Sequence, residues 1–339
     1  MNRRGRLEAA VAGKPVDRVP VSAWGHFYVD ELSADRFADR MLTFRQAYDW
    51  DIVKVHARAS YHTEPFGYAF APSDDPAKDH RMVETPIAEP EDWLMLRPAR
   101  LDHPAFLEQM KALELIRRGL PADVPLIMTV FTPLDVADKM LGRRAEILAR
   151  HIREAPEAVA YGLSVIAATL EPFVRQLVAF GLDGVFVSTK WVNGAKLKPA
   201  TYRSLTLPHD LRVLAPASGL PFNILHVCQS EVFLGGFADY PVTIMHWDDN
   251  GAHNPSLRMG RAMTKLAVSG GVDPPTLAAG SPEMVTEKAV NAIVENNGTG
   301  MMLAPGCSIR TAATPTENLM ALRQAPDKAS ALLGKALAA

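Results

Sequence analysis

The sequence predicts an α/β protein built as one (β/α)8 TIM barrel, and three observations carry that prediction. Short apolar runs recur eight times, helical stretches separate most of them, and 339 residues suffice for a barrel of roughly 250 residues with insertions. Strands buried on both faces read as continuous apolar runs, and alternation of β and α segments argues for a parallel sheet. Eight such strands close into a barrel; an open, doubly wound sheet is the alternative. No linker, internal repeat or low-complexity tract divides residues 1–339, so the chain reads as a single domain.

The first run is VPVSAWGH at residues 19–26, and the second is DIVKVHA at 51–57. Residues 58–124 then break the spacing. Pro65, Pro72, Pro76, Pro86, Pro90 and Pro98 exclude one long helix there, which predicts an irregular Pro-rich insertion, either an outer layer or a lid over the barrel mouth. The third run, PLIMTVF, spans 125–131, and helices over 139–154 and 156–181 lead to the fourth, GVFVST, at 184–189. A helix over 199–217 precedes FNILHVC at 222–228, which is followed by VTIMHW at 242–247. A helix over 255–265 leads to LAVSGGV at 266–272. Ser281 is placed to cap a helix over 282–297 whose first position is Pro282, and GMMLAPG at 300–306 completes the set. The Ala- and Leu-rich segment 327–339 reads as a helix on the outside of the barrel.

Composition narrows the function. Lys and Arg total 36 against 38 Asp and Glu, a formal charge of -2, which gives no electrostatic footprint for nucleic acid or an anionic membrane surface. No apolar run approaches the 18 or so residues of a membrane span. Glu8 interrupts the stretch after the basic Arg3, Arg4 and Arg6, so no secretory signal is expected. Two distant cysteines make no disulfide framework, which points to a reducing, cytoplasmic setting.

Catalytic groups of a parallel barrel sit where its strands end. That filter selects Trp24, His26, His56, Arg58, residues 131–133, residues 188–190 with Lys190, His226, Cys228, residues 246–249, Asp273 and Cys307. Both cysteines of the chain are in this set. Residues i and i+2 of a strand face the same way, so His226 and Cys228 converge on one volume. Cys307 ends the last run after Pro305 and Gly306, where glycine permits close backbone approach. One imidazole and two thiols suit zinc, and three protein ligands would leave an open catalytic position. The alternative is that both cysteines simply pack in the interior.

At this point the motifs resemble a known family. RLEAAVAGKPVDRVPV at 6–21 resembles the opening of the uroporphyrinogen decarboxylase superfamily, SGGVDP at 269–274 its glycine-rich segment, and LAPGCSI at 303–309 with TPTEN at 314–318 its C-terminal signature. The resemblance covers residues 5–325 and implies the same barrel. Decarboxylases of this family carry an arginine-rich loop where this chain has SAWGHFY at 22–28, and a histidine where Cys307 stands. A substrate with eight carboxylates needs several cations, so that activity is disfavoured.

The other branch of the superfamily is similar in its His-x-Cys and later Cys, which fall on His226, Cys228 and Cys307. It implies a zinc-dependent methyltransferase that exchanges methyl groups between a corrinoid (cobalamin), on a partner protein or free, and a thiol or related small-molecule acceptor. It also implies an acidic residue after the next strand as a further zinc ligand, for which Asp248 and Asp249 are the candidates. Gln229 stands where that branch often has glycine, which leaves the acceptor open. Asp273 is either a ligand-orienting residue or a helix cap. Trp24, His26, His56, Lys190 and His246 are expected around the substrate, while Asp135 reads as a charge at a helix start. Exposed apolar outer helices are compatible with a homodimer. Two rivals stand beside this reading. One is a decarboxylase of a smaller acid, with Arg58 and Arg310 as its cations; the other is a non-catalytic corrinoid- or tetrapyrrole-binding protein.

Overall fold

A computed structural model describes residues 1–191 and 196–338. In chain order its strands are β1 (Val53–Val55), β2 (Ala69–Ala71), β3 (Arg81–Glu84), β4 (Leu126–Phe131), β5 (Gly184–Thr189), β6 (Ile224–Val227), β7 (Ile244–His246), β8 (Ala267–Val272) and β9 (Met301–Pro305). Among the described residues β1 and β4 to β9 form one seven-stranded parallel sheet, each strand pairing with the next, while β2 and β3 pair antiparallel by themselves. The curled sheet and its surrounding helices make a (β/α)8 TIM barrel.

The eighth stave is the segment 19–26, which fills the gap between β9 and β1. It bridges the last strand and the segment after it through single parallel contacts, Val21 with Leu303 of β9 and Gly25 with Ile309. Leu303 N donates to Pro20 O at 2.9 Å and Ser22 N to Leu303 O at 3.1 Å. On its other side Asp51 N donates to Val21 O at 3.0 Å. Pro20 has no N–H to offer, so a regular ladder does not form, although the position of the run in the barrel is the expected one.

The helices are α1 (Arg3–Val11), α2 (Ala34–Tyr48), α3 (Asp92–Met95), α4 (Pro104–Gly119), α5 (Pro133–Met140), α6 (Ala145–Glu154) and α7 (Pro156–Phe180), then α8 (Pro199–Thr201), α9 (Leu207–Leu214), α10 (Leu257–Thr264), α11 (Pro274–Ala279), α12 (Pro282–Glu295) and α13 (Thr316–Ala338). The expectation of an irregular segment across 58–124 needs correction. Its first part carries the short β2–β3 pair and the single turn α3, and Pro104 is tolerated at the start of α4, a regular helix that packs on α2. The expected helix over 139–154 is split into α5 and α6 by Gly142 and Arg143, whose φ angles are 72° and 62°. Helix α7 has a mean hydropathy of 1.4 over its most apolar window, long and apolar enough to cross a bilayer. It packs here on α3, α5 and α9, with Leu163, Ile166, Leu170 and Phe173 fully buried.

The barrel interior is layered along the strands. Ile52, Ile127, Phe186, Ile224, Ile244 and Ala267 form a buried apolar layer with Leu7 of α1 and Trp24. Two residues further along each of those strands the buried side chain is polar: Lys54, Thr129, Ser188, His226, His246 and Ser269. Period-2 alternation places these on the same inward face, so the C-terminal half of the barrel is a polar chamber above an apolar floor. At the opposite end α1 acts as a plug. Asp51, fully buried, receives Arg6 Nη1 at 2.7 Å, Arg18 Nη1 at 2.6 Å and Val21 N at 2.8 Å.

Candidate metal and substrate site

Cys228 N donates to Thr189 O at 2.8 Å and carries the β5–β6 ladder one residue past His226 and Val227. Cys307 reaches the same chamber from the turn after β9. Gly306 is required before it: a Cβ there would lie 2.6 Å from Asp248 Oδ1 and 2.7 Å from Asp248 Cα. Cys228 Sγ and Cys307 Sγ are 3.9 Å apart, and Cys307 Sγ is 3.5 Å from His226 Nε2. All three donor atoms lie within 4.8 Å of one another, the one such group of three found among the described residues.

These edges can be compared with a tetrahedron. Zinc bonds of about 2.3 Å to sulfur and about 2.0 Å to nitrogen give edges of about 3.8 Å for S–S and about 3.5 Å for S–N. The two edges at Cys307 fit, and a separation of 3.9 Å leaves the thiols unlinked by a disulfide. The contact with Cys228 holds the Cys307 pKa well below the usual thiol value, against the cost of burial. The same contact raises Cys228 well above that value. A divalent cation between two such sulfurs would relieve the conflict.

Behind the cluster, His226 Nδ1 lies 2.7 Å from His246 Nδ1, and His246 Nε2 lies 2.8 Å from Pro305 O. His246 is fully buried, and burial followed by the neighbouring His226 pushes its pKa well below the ordinary imidazole value.

A cavity of about 200 Å³ opens over the thiols, and Trp24, His26, His56, Lys190, His226, Cys228 and Cys307 all line it. A second cavity of about 200 Å³ shares Ala59, Asp79, Lys139 and Arg143 with it and is walled by Phe70 and Met82 of the insertion. The insertion therefore borders the approach to the site. His26 Nδ1 bonds Glu31 at 3.0 Å, and its ring lies edge-on to His56 with centroids 4.1 Å apart. Lys190 N donates to Asp135 Oδ1 at 3.0 Å. Burial pushes the Asp135 carboxyl up to about 6, against the pull of Lys190.

The acidic candidates separate by what they hold. Asp248 packs against Gly306, and burial raises its pKa, with the negative charges of Asp273 and Cys307 adding to the effect. Asp249 accepts from Gly271 N at 2.7 Å, and burial lifts its carboxyl to about 6. Gly270 is needed beside it, since its φ is 153° and a Cβ would meet Asp249 Oδ1 at 2.6 Å. Asp273 caps α11 through Thr276 N at 2.8 Å and pairs with Lys288. His246 stands behind His226 and does not line the cavity.

Sequence reasoning missed Lys54, Lys139 and Arg143. Lys54 Nζ lies 4.2 Å from the Phe186 ring centroid, and the amine is bonded to His56 Nδ1. Burial drives its pKa well below the lysine value, with the charge of Cys307 opposing. Its signal was present: it precedes His56 by two and shares its face. Lys139 donates to Ala59 O at 2.6 Å, and Arg143 pairs with Asp79 at 3.1 Å. The expected arginines lie elsewhere. Arg58 is buried against Glu64 and Glu108, at 2.8 and 3.0 Å, and Arg310 is exposed.

Comparison with known proteins places the chain. The model of the family described as uroporphyrinogen decarboxylase (URO-D) matches residues 2–328. A protein named uroporphyrinogen decarboxylase from Pelobacter propionicus is 24% identical over 311 residues, covering 86% of this chain and 88% of that one. A namesake from Mycolicibacterium vanbaalenii is 30% identical over 136 residues, 37% of this chain and 35% of its own length. Among solved structures, a methyltransferase from Methanosarcina mazei superposes with a TM-score of 0.76 at 21% identity, covering 97% of this chain and 99% of that one. A B12-independent methionine synthase from Shewanella gives 0.63 at 13% identity, with 95% and 99% covered. At these identities the structural likeness shows the fold.

Proposed function

The chain belongs to the uroporphyrinogen decarboxylase family, and from that premise we propose that it is a zinc-dependent methyltransferase, moving a methyl group between a corrinoid or methylated small molecule and a thiol or related acceptor. The observation that carries the reading is the His226–Cys228–Cys307 cluster, whose two edges at Cys307 match those of a tetrahedral zinc site and whose three donor atoms lie within 4.8 Å of one another. Zinc held there supplies a Lewis acid that keeps an acceptor thiol as its thiolate at neutral pH.

The chain's own residues do the rest. His226, Cys228 and Cys307 would hold the ion, and the cavity beside them would receive the acceptor. Arg143 and Lys190 line the same space and orient an acceptor with an anionic end, while the buried amines of Lys54 and Lys139 stand beside it as hydrogen-bond donors. As the S–CH3 bond forms, the bond from the methyl group to its carrier breaks and leaves its electron pair on the carrier. The carrier corrinoid is free or bound to a partner protein. The unlinked thiols suit the cytoplasm. Exposed Leu94, Met95 and Leu107 on the outer layer fit a homodimer.

A decarboxylase acting on a small carboxylic acid is the second reading, favoured by the same basic side chains and by the names of the sequence relatives. One experiment separates the two. Purified protein is assayed for metal, for methyl transfer from methylcobalamin to small thiols, and for carbon dioxide release from small acids. We expect about one zinc per chain and methyl transfer, with Cys228→Ser and Cys307→Ser losing both. Retention of full zinc in both variants, or carbon dioxide release independent of metal, contradicts the proposal.

A further inference from the structure

We propose that His246 is a positioning residue that fixes the tautomer of His226 and thereby presents the lone pair on which metal binding depends; the inference rests on the zinc reading above. The argument begins at an atom with no freedom of role. Pro305 O can only accept, and it lies 2.8 Å from His246 Nε2, so that nitrogen carries a hydrogen. In a neutral imidazole the other nitrogen, Nδ1, is then bare. It faces His226 Nδ1 at 2.7 Å, and two bare nitrogens at that distance would repel. His226 therefore holds its hydrogen on Nδ1 and donates it to His246.

The consequence falls on the other side of the ring. With its hydrogen on Nδ1, His226 leaves Nε2 bare, and Nε2 is the atom 3.5 Å from Cys307 Sγ. Reversing the relay would place an N–H where the ion belongs and silence the ligand. Ligating imidazoles commonly donate their second nitrogen to a carboxylate or a carbonyl, which fixes the ring and raises its basicity. Here a second imidazole is interposed between the ligand and the carbonyl.

The fold makes this relay local. His226 and His246 are register partners across β6 and β7. Both are buried, at 5% and 0% exposure, which removes bulk water as a substitute partner. The Trp24 ring lies edge-on to His246 with centroids 5.1 Å apart and helps hold its orientation. Pro305 stands two residues before Cys307, so a single chain of hydrogen bonds ties the ligand at the end of β6 to the turn that carries the third ligand.

The test compares wild type, His246→Phe and His246→Gln. Phenylalanine keeps the ring and removes both nitrogens; glutamine restores one donor and one acceptor. Zinc affinity is measured by chelator competition, and the cobalt-substituted proteins are examined for thiolate-to-metal charge-transfer absorption. His246→Phe is expected to weaken zinc binding by about 10–100-fold, with His246→Gln recovering a large part of the loss. A merely structural role would weaken both variants in step with their loss of thermal stability. His246→Phe with zinc affinity and cobalt spectrum unchanged, in a wild type that shows the thiolate band, overturns the relay alone. A wild type with no thiolate band overturns the metal reading and the relay with it. Should His246→Phe fail to fold, the 15N spectrum of metal-free wild type decides: a hydrogen on His226 Nδ1 is expected, and one on Nε2 contradicts the proposal.

Discussion

A histidine and a cysteine two residues apart are unremarkable until the strand that carries them ends at a barrel mouth. There the period of two turns His226 and Cys228 to one side, and Gly306 lets Cys307 close on them. These three were legible because each obeys a local rule. Lys54 obeys the same rule and was still missed, because a lone lysine in an apolar run reads as a solvated edge residue. Tertiary closure buries it between Trp24 and Phe186 instead. A buried amine with a depressed pKa destabilises the fold whenever the unfolded chain can be protonated and the folded one cannot. Replacing Lys54→Met should raise the unfolding free energy by about 1–3 kcal/mol, with zinc content unchanged. The gain should be larger at pH 6 than at pH 9, because unfolded lysine takes up a proton that the folded one resists. Denaturant titrations at the two pH values check the sign; a loss of stability at pH 6 would refute it.

Among the elements, the strands were the easiest to read and the connections the hardest. Runs with apolar residues on both faces announce strands, whereas α4 hides behind a proline-rich approach and begins on a proline. Helix α1 was not legible as a plug, since its role depends on Asp51, far along the chain. The opening motif that carried the family resemblance turns out to place Arg6 and Arg18 on that buried carboxylate. Its work is architectural, at the barrel end remote from the chemistry. Asp51→Ala would leave two buried guanidinium groups without their shared partner, a loss of about 3–5 kcal/mol. Thermal unfolding should show a large drop in midpoint while any folded protein keeps its zinc. A midpoint within a degree of wild type would count against the plug.

For the whole molecule, the barrel was readable from the recurrence of its strands, but the chamber was not, because burial of polar groups depends on which strands become neighbours. His62 illustrates the cost. It is fully buried, accepts from Phe131 N at 3.4 Å, and burial followed by the charge of Lys139 holds its pKa well below the imidazole value. The unfolded chain binds a proton here below about pH 6.5 and the folded chain does not, so stability falls as pH drops below that point. The slope from this residue reaches up to about 1.4 kcal/mol per pH unit. His62→Gln should flatten the decline by about one proton's worth between pH 6.5 and 5; an unchanged slope would show that His62 titrates freely.

The central claim is that three side chains from two distant segments form one metal centre. X-ray absorption at the zinc edge of the purified protein reads that centre directly. Two sulfur neighbours at about 2.3 Å and one imidazole nitrogen at about 2.0 Å, beside one lighter or external ligand, are the expected first shell. A shell of nitrogen and oxygen alone, or protein that takes up no zinc at all, would contradict the account.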